Sequence, residues 1–172
     1  AWQNTKKSPV SVSDVRWSTV PARLPVGEHL VESDLKAIVE NKTENADTRY
    51  YAAKHLVWLR RYIAGDTIDI ACLSVGKARV LHMPGELFVE YQLAAQQLRP
   101  DLFVAMAAYG DYAPGYIGTA DSYGQGGYES SDRASKVAPG VEKVLMNAVR
   151  SLLEVPDGPQ PAVLRTRDAK QA

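Results

Sequence analysis

Between Val10 and Val20 apolar and polar residues trade places, with Val10, Val12, Val15 and Trp17 set among polar neighbours, and Pro21 follows. This pattern predicts a strand over 10–20 with one buried face, closed by the proline. From Glu28 to Asn41 the apolar residues Leu30, Val31, Leu35, Ile38 and Val39 recur at helical spacing, and the polar run 41–47 reads as a loop. A second helix is predicted over 48–63. Ala52, Leu56, Leu59 and Ile63 form its stripe, Arg60 and Arg61 sit near its negative C-terminal end, and Gly65 stands just beyond it.

The centre of the chain opens with two apolar runs, 67–75 and 78–83, joined by Gly76-Lys77. They predict a β-hairpin with a two-residue turn. Pro84-Gly85 breaks the second strand, and Leu87, Phe88, Tyr91, Ala94, Ala95 and Leu98 then mark one face of a helix that stops before Pro100. Glu86 falls in the first turn of that helix. Leu102 to Ala108 is another apolar run of strand length. Residues 109–128 then place five tyrosines among six glycines. Glycines let the backbone turn sharply and buried phenols need partners, so a folded loop is expected here, not a solvated linker. Pro139-Gly140 opens a last helix with Val141, Val144, Leu145, Ala148, Leu152 and Leu153 on its apolar face, ended by Pro156. Residues 156–172 hold three prolines and several charges with little to bury, and a mobile tail or a strap over a neighbouring domain is expected. The elements sum to an α/β domain: a mixed sheet with a β-hairpin and flanking helices.

Composition narrows the function classes. At 172 residues, 45% hydrophobic and 23% charged, the chain can bury the core of one ordinary domain. Twenty basic residues balance twenty acidic ones, which removes the electrostatic footprint of a nucleic-acid binder. No run approaches the ~20 apolar residues of a transmembrane helix. The single Cys72 cannot form an internal disulfide and reads as a buried, inert thiol. Asn41-Lys42-Thr43 is formally a glycosylation acceptor, a triplet common by chance. The start at Ala1-Trp2-Gln3 has neither an initiator methionine nor a signal-peptide core, so the chain reads as a trimmed or processed piece of a longer one.

Motifs with a mechanism are scarce. There is no phosphate-binding loop, dinucleotide fingerprint, cysteine pair or zinc-protease histidine pair. His29, His55 and His82 lie on separate elements without metal-ligand spacing, and the Pro-Gly break keeps His82 from pairing with Glu86 in helical geometry. His55 reads as structural. Ser74 and Ser122 lack a nucleophile-elbow context. Glu86, placed in a helix's first turn, would have its carboxylate favoured by the amide dipoles and its oxygens at the strand-to-helix corner, though a plain capping glutamate fits the same position. Residue types and spacing alone reach an α/β domain with a tyrosine-rich loop.

The string Leu81-His82-Met83-Pro84-Gly85-Glu86-Leu87-Phe88-Val89-Glu90, followed by Gly115-Tyr116-Ile117-Gly118-Thr119 and then Gly126-Gly127-Tyr128-Glu129, resembles the C-terminal part of the catalytic domain of the neutral/alkaline ceramidase family. The likeness extends to shorter bacterial ceramidase-like proteins and covers roughly residues 67–155. It implies a zinc-dependent amidohydrolase that cleaves the amide bond of N-acylsphingosines, its metal held by two histidines, a glutamate and a tyrosine. By motif the glutamate falls on Glu86 and the metal tyrosine on Tyr116, while a second active-site tyrosine, a hydrogen-bond donor at the reacting centre, falls on Tyr128. Tyr116 and Tyr128 stand twelve positions apart, as the family pattern asks.

The departures shape the expectation. The family's two zinc histidines and its catalytic serine belong to the part of the domain that precedes this region, and nothing in 1–66 resembles their motifs. The asparagine that often precedes the tyrosine segment is replaced by Gly110-Asp111, so substrate specificity does not carry over. The family's C-terminal immunoglobulin-like domain has no counterpart either. The resemblance therefore implies that residues 1–155 are the C-terminal part of a larger ceramidase-like catalytic domain, secreted or periplasmic. Its partners would be the N-terminal part of the same domain and a lipid-like amide substrate, with no nucleic acid. Zinc would be the cofactor of the complete protein but would not bind tightly to this chain alone. The alternative is a non-catalytic binding or structural domain that uses the tyrosine- and glycine-rich loop for recognition.

Overall fold

The computed structural model describes residues 1–110 and 114–155, so the tail expected over 156–172 lies outside the described residues. Strand β1 spans Val15–Ala22, not 10–20. Its start is delayed because Val12–Asp14 form a 3-10 turn closed by Ser11, whose amide donates to Asp14 Oδ2 at 2.8 Å. It runs on through Pro21 because β1 is an edge strand, where a missing N–H can face solvent. Helix α1 is Glu32–Glu40, four residues later than the pattern suggested. The backbone before it is committed elsewhere: Val26 bridges to Val137 and the Gly27 amide donates to Lys136 O at 3.0 Å. Helix α2, Ala46–Ala64, is capped by the Asn45 side chain, which accepts from the Asp47 and Thr48 amides, and it ends at Gly65 with φ 88°.

The hairpin forms as expected from β2, Ile68–Val75, and β3, Ala78–His82, around Gly76-Lys77, with Gly76 at φ 53°. The next stretch corrects the sequence expectation. Glu86–Leu87 form a short strand, β4, and helix α3 begins only at Val89 and runs to Leu98. Glu86 is therefore not in a helix's first turn. The Glu86 and Phe88 amides are consumed by Gly115 O and Ile117 O, both at 3.0 Å, and so cannot enter a helix. Strand β5, Phe103–Ala107, strand β6, Tyr116–Ile117, helix α4, Ala120–Gln125, and helix α5, Val141–Leu152, follow among the described residues.

The main sheet has the order β1-β2-β3-β5, antiparallel except for the parallel β3/β5 pair, so it is mixed. One face is the core. Ile70, Cys72, Leu81 and Val104 are at most 2% exposed there and pack with Val141, Leu145, Val149 and Leu152 of α5 and Tyr91, Ala94 and Ala95 of α3. Burial also pushes the Cys72 thiol up, as an inert cysteine requires. Among the described residues no helix is long and apolar enough to cross a membrane.

The opposite face is apolar too. The register sets Val15, Val75, Ala78 and Phe103 in one row across all four strands, and Trp17, Leu73, Val80 and Ala105 in the next. Val15 is 48% exposed, Trp17 56% and Phe103 70%, so this face is open. Apolar rows of this extent mark an interaction surface more often than plain solvent-facing sheet. Replacing Trp17 and Phe103 with lysine should change unfolding free energy by no more than about 1 kcal/mol, since both are exposed. The same change should reduce concentration-dependent self-association in sedimentation velocity.

Candidate functional site

The site starts where β3 gives out. After His82 the Met83 amide still donates to Ala107 O at 2.8 Å, and Pro84-Gly85 then turn the chain. Gly85 takes φ 64°, and a Cβ there would stand 2.6 Å from Gly115 O, a distance real side chains do not reach. Absence of that atom lets β4 lie against β6. The two strands pair in parallel, Glu86 opposite Tyr116 and Leu87 opposite Ile117. Ile117 is fully buried, and alternation along the strand turns Tyr116 the other way, toward the same side as Glu86. Gly115, at φ 87°, repeats the device on the far side: its Cβ would meet Ala134 O at 2.1 Å, while the Tyr116 amide donates to that oxygen at 3.1 Å.

Two more phenols complete the cluster. Tyr109 has φ 60°, left-handed for a residue that rarely adopts it, and is held there by its amide on Gly85 O and by the Gly110 amide on Met83 O, both 2.8 Å. Its hydroxyl reaches the Glu86 carboxylate. Tyr128 sets its ring edge-on to Tyr116, centroids 6.0 Å apart and planes at 74°. The Glu86 charge, followed by partial burial and hydrogen bonding to the same carboxylate, holds the Tyr116 phenol above its ordinary 10.0. Hydrogen bonding to Glu86 comes first in raising Tyr109. One carboxylate thus faces two phenols that it keeps protonated.

Other sequence candidates take structural parts. Ser122 Oγ donates to Thr119 O at 2.7 Å in the cap of α4, and Ser74 is buried on the core face beside Cys72. The His82 ring lies against Trp17 at 4.9 Å on the open face. Of the aromatic residues around the loop, Tyr91 donates to Gly118 O at 2.9 Å and Tyr123 pairs with Ser135 Oγ at 3.0 Å, as buried phenols should. Tyr109 and Tyr128 are instead 66% and 57% exposed. Sequence reasoning passed over Tyr109, because nothing in the residue string announces a positive φ at a tyrosine.

As metal donors, Glu86 and Tyr116 offer one carboxylate and one phenol, both hard oxygens. A catalytic zinc takes three or more protein ligands, and among the described residues no three His, Cys, Asp or Glu side chains gather into a set that could hold a metal. The pair fits part of a zinc site, not a whole one. Without a metal the cluster can accept a proton or hydrogen bond at Glu86 and donate from three phenols, the chemistry that polarises a carbonyl oxygen.

No protein-family model matches the chain, and no curated protein matches it in sequence. Among solved structures it is similar to neutral ceramidase from Pseudomonas aeruginosa, at 15% identity and a TM-score of 0.45, over 87% of this chain and 30% of that one. It is also similar to a ceramidase complexed with C2, at 18% identity and a TM-score of 0.41, over 56% of this chain and 17% of that one. The chain spans less than a third of the length of either.

Substituting Glu86→Gln should lower the titration of both Tyr116 and Tyr109 toward the ordinary phenol value, because the anion that holds them protonated is gone. Ring-resonance NMR titration, with Tyr116→Phe and Tyr109→Phe to assign the signals, checks this; unchanged phenols in the Gln variant would dissolve the cluster.

Proposed function

We propose that this chain is the C-terminal portion of a zinc-dependent amidohydrolase resembling neutral ceramidase, acting on the N-acyl amide bond of a lipid-like substrate. By itself it is incomplete and inactive. The observation that carries the reading is the pairing of Glu86 with Tyr116, which sets the two motif residues side by side although thirty positions separate them in the chain. Tyr128, edge-on to Tyr116, supports the third assignment.

In this reading Glu86 and Tyr116 hold zinc together with ligands from the N-terminal part of the same catalytic domain. Zinc held there would supply Lewis acidity for activating water and polarising an amide carbonyl. The chain's own residues do the rest: Glu86 also orients the Tyr109 hydroxyl, and the Tyr128 phenol donates to the oxygen on which charge develops. The open apolar rows around Trp17 and Phe103 support the same view, since the N-terminal part would cover them. The proposed setting is secreted or periplasmic.

The exposed rings of Tyr109 and Tyr128 favour a second reading, a non-catalytic domain that recognises its ligand through the aromatic loop. Calorimetric titration of zinc separates the two. This chain alone should bind zinc weakly or not at all; joined to the N-terminal part it should bind tightly, and Glu86→Gln or Tyr116→Phe should abolish that gain. Failure of the joined protein to bind zinc supports the recognition domain. Tight one-to-one binding by this chain alone, lost in Glu86→Gln, would mean that another of its residues completes the site, and the incomplete-fragment reading would be abandoned.

A further inference from the structure

Among the described residues two that are not glycine hold a positive φ, Glu154 at 54° and Tyr109 at 60°. Glu154 is explained by its place. It closes α5 in the left-handed arrangement common at helix ends, its amide donating to Ser151 O at 3.1 Å and that of Val155 to Arg150 O at 3.0 Å, and its carboxylate pairs with Arg16. Tyr109 follows strand β5, where no helix end asks for such a residue.

The left-handed backbone at 109 brings two successive amides onto one turn: Tyr109 N donates to Gly85 O and Gly110 N to Met83 O, both at 2.8 Å. That turn leads directly into Glu86. The approach is close, since a Cβ at 110 would stand 2.8 Å from Met83 O. Glycine at 109 would meet this demand without strain, and asparagine with little. Tyrosine meets it under strain, and its ring is 66% exposed, so the core gains little from it. The compensation has to come from what the side chain does, and its hydroxyl stands at the Glu86 carboxylate as a hydrogen-bond partner.

We propose that Tyr109 is the positioning residue of this site: the left-handed backbone aims its hydroxyl at Glu86, and that hydrogen bond holds the carboxylate in one orientation. Its purpose rests on the zinc reading above. There Tyr116 is assigned to the metal and Tyr128 to the oxygen on which charge develops, which leaves Tyr109 as the phenol that holds Glu86. A carboxylate that binds a metal depends on such a partner, and losing the partner typically lowers affinity by roughly ten-fold to a hundred-fold. The orienting hydrogen bond itself needs no metal, so it can be tested with zinc and without.

Two variants separate hydroxyl from backbone: Tyr109→Phe keeps the ring and the strain, and Tyr109→Asn accepts the left-handed backbone without a phenol. In the wild-type chain the Glu86 Hα–Hβ couplings should report one side-chain rotamer, and in Tyr109→Phe an average over several. Tyr109→Asn should raise the thermal unfolding midpoint by about 2 °C because strain is relieved, while Tyr109→Phe leaves it within about 1 °C. In the protein joined to its N-terminal part, both variants should weaken zinc binding by roughly ten-fold in calorimetric titration. Greater stability with weaker zinc binding marks a residue kept for its site and not for the fold. Unchanged Glu86 couplings in Tyr109→Phe overturn the proposal. So does a Tyr109→Asn chain that unfolds at a lower temperature or fails to fold, since the ring would then serve the fold. Equal zinc affinity in wild type and variants overturns it too, and leaves the zinc reading standing. If the joined wild-type protein binds no zinc, that reading fails and the couplings decide alone: averaging in Tyr109→Phe upholds Tyr109 as the residue that orients Glu86.

Discussion

Two residue pairs, Glu86 with Tyr116 and Leu87 with Ile117, hold the candidate site together, and they form only because two glycines leave room for them. A two-residue parallel pairing cannot be stable on its own. It is clamped from behind by Gly85 O and Met83 O, which accept the Tyr109 and Gly110 amides, and from the far side by Ala134 O. Its inner side is anchored by Ile117, wholly buried in the core. The outer side then has no freedom: a carboxylate and a phenol must stand together, with Tyr109 and Tyr128 around them.

The larger sheet serves this corner. β3 delivers Met83-Pro84-Gly85 to the turn and β5, its parallel neighbour, delivers Tyr109, so the site sits just past the carboxyl ends of two adjacent parallel strands. Helices α3 and α5 secure the core face, while the opposite face keeps its rows of Val, Leu, Trp and Phe open. A domain stable through one face of its sheet can carry a second apolar face for a partner, and the same sheet then ties the partner's placement to that of Glu86.

Local chemistry made some elements readable and hid others. The hairpin was legible because alternation and Gly76-Lys77 act over neighbouring residues, and α2 and α5 were legible because their stripes and caps do too. Glu86 was misplaced into a helix because Leu87, Phe88 and Tyr91 have helical spacing, and no local pattern shows that the 86 and 88 amides are claimed by residues twenty-nine positions away. Helix α4 was read as loop because it is a single short element among glycines. The pairing of Glu86 with Tyr116 was accessible only through motif resemblance. The Tyr109 contact with Glu86 is a product of tertiary packing, which residue spacing does not encode.

The central claim is that Glu86 and Tyr116 share one side of a glycine-permitted pairing. Nuclear Overhauser contacts between the Glu86 side-chain methylenes and the Tyr116 ring test it most directly, compared between the wild-type chain and Gly115→Ala. The account predicts contacts in the wild type that disappear in the variant while hairpin contacts between β2 and β3 persist. Absence of the contacts in a folded wild-type chain, with Glu86 instead near the first turn of α3, would contradict it.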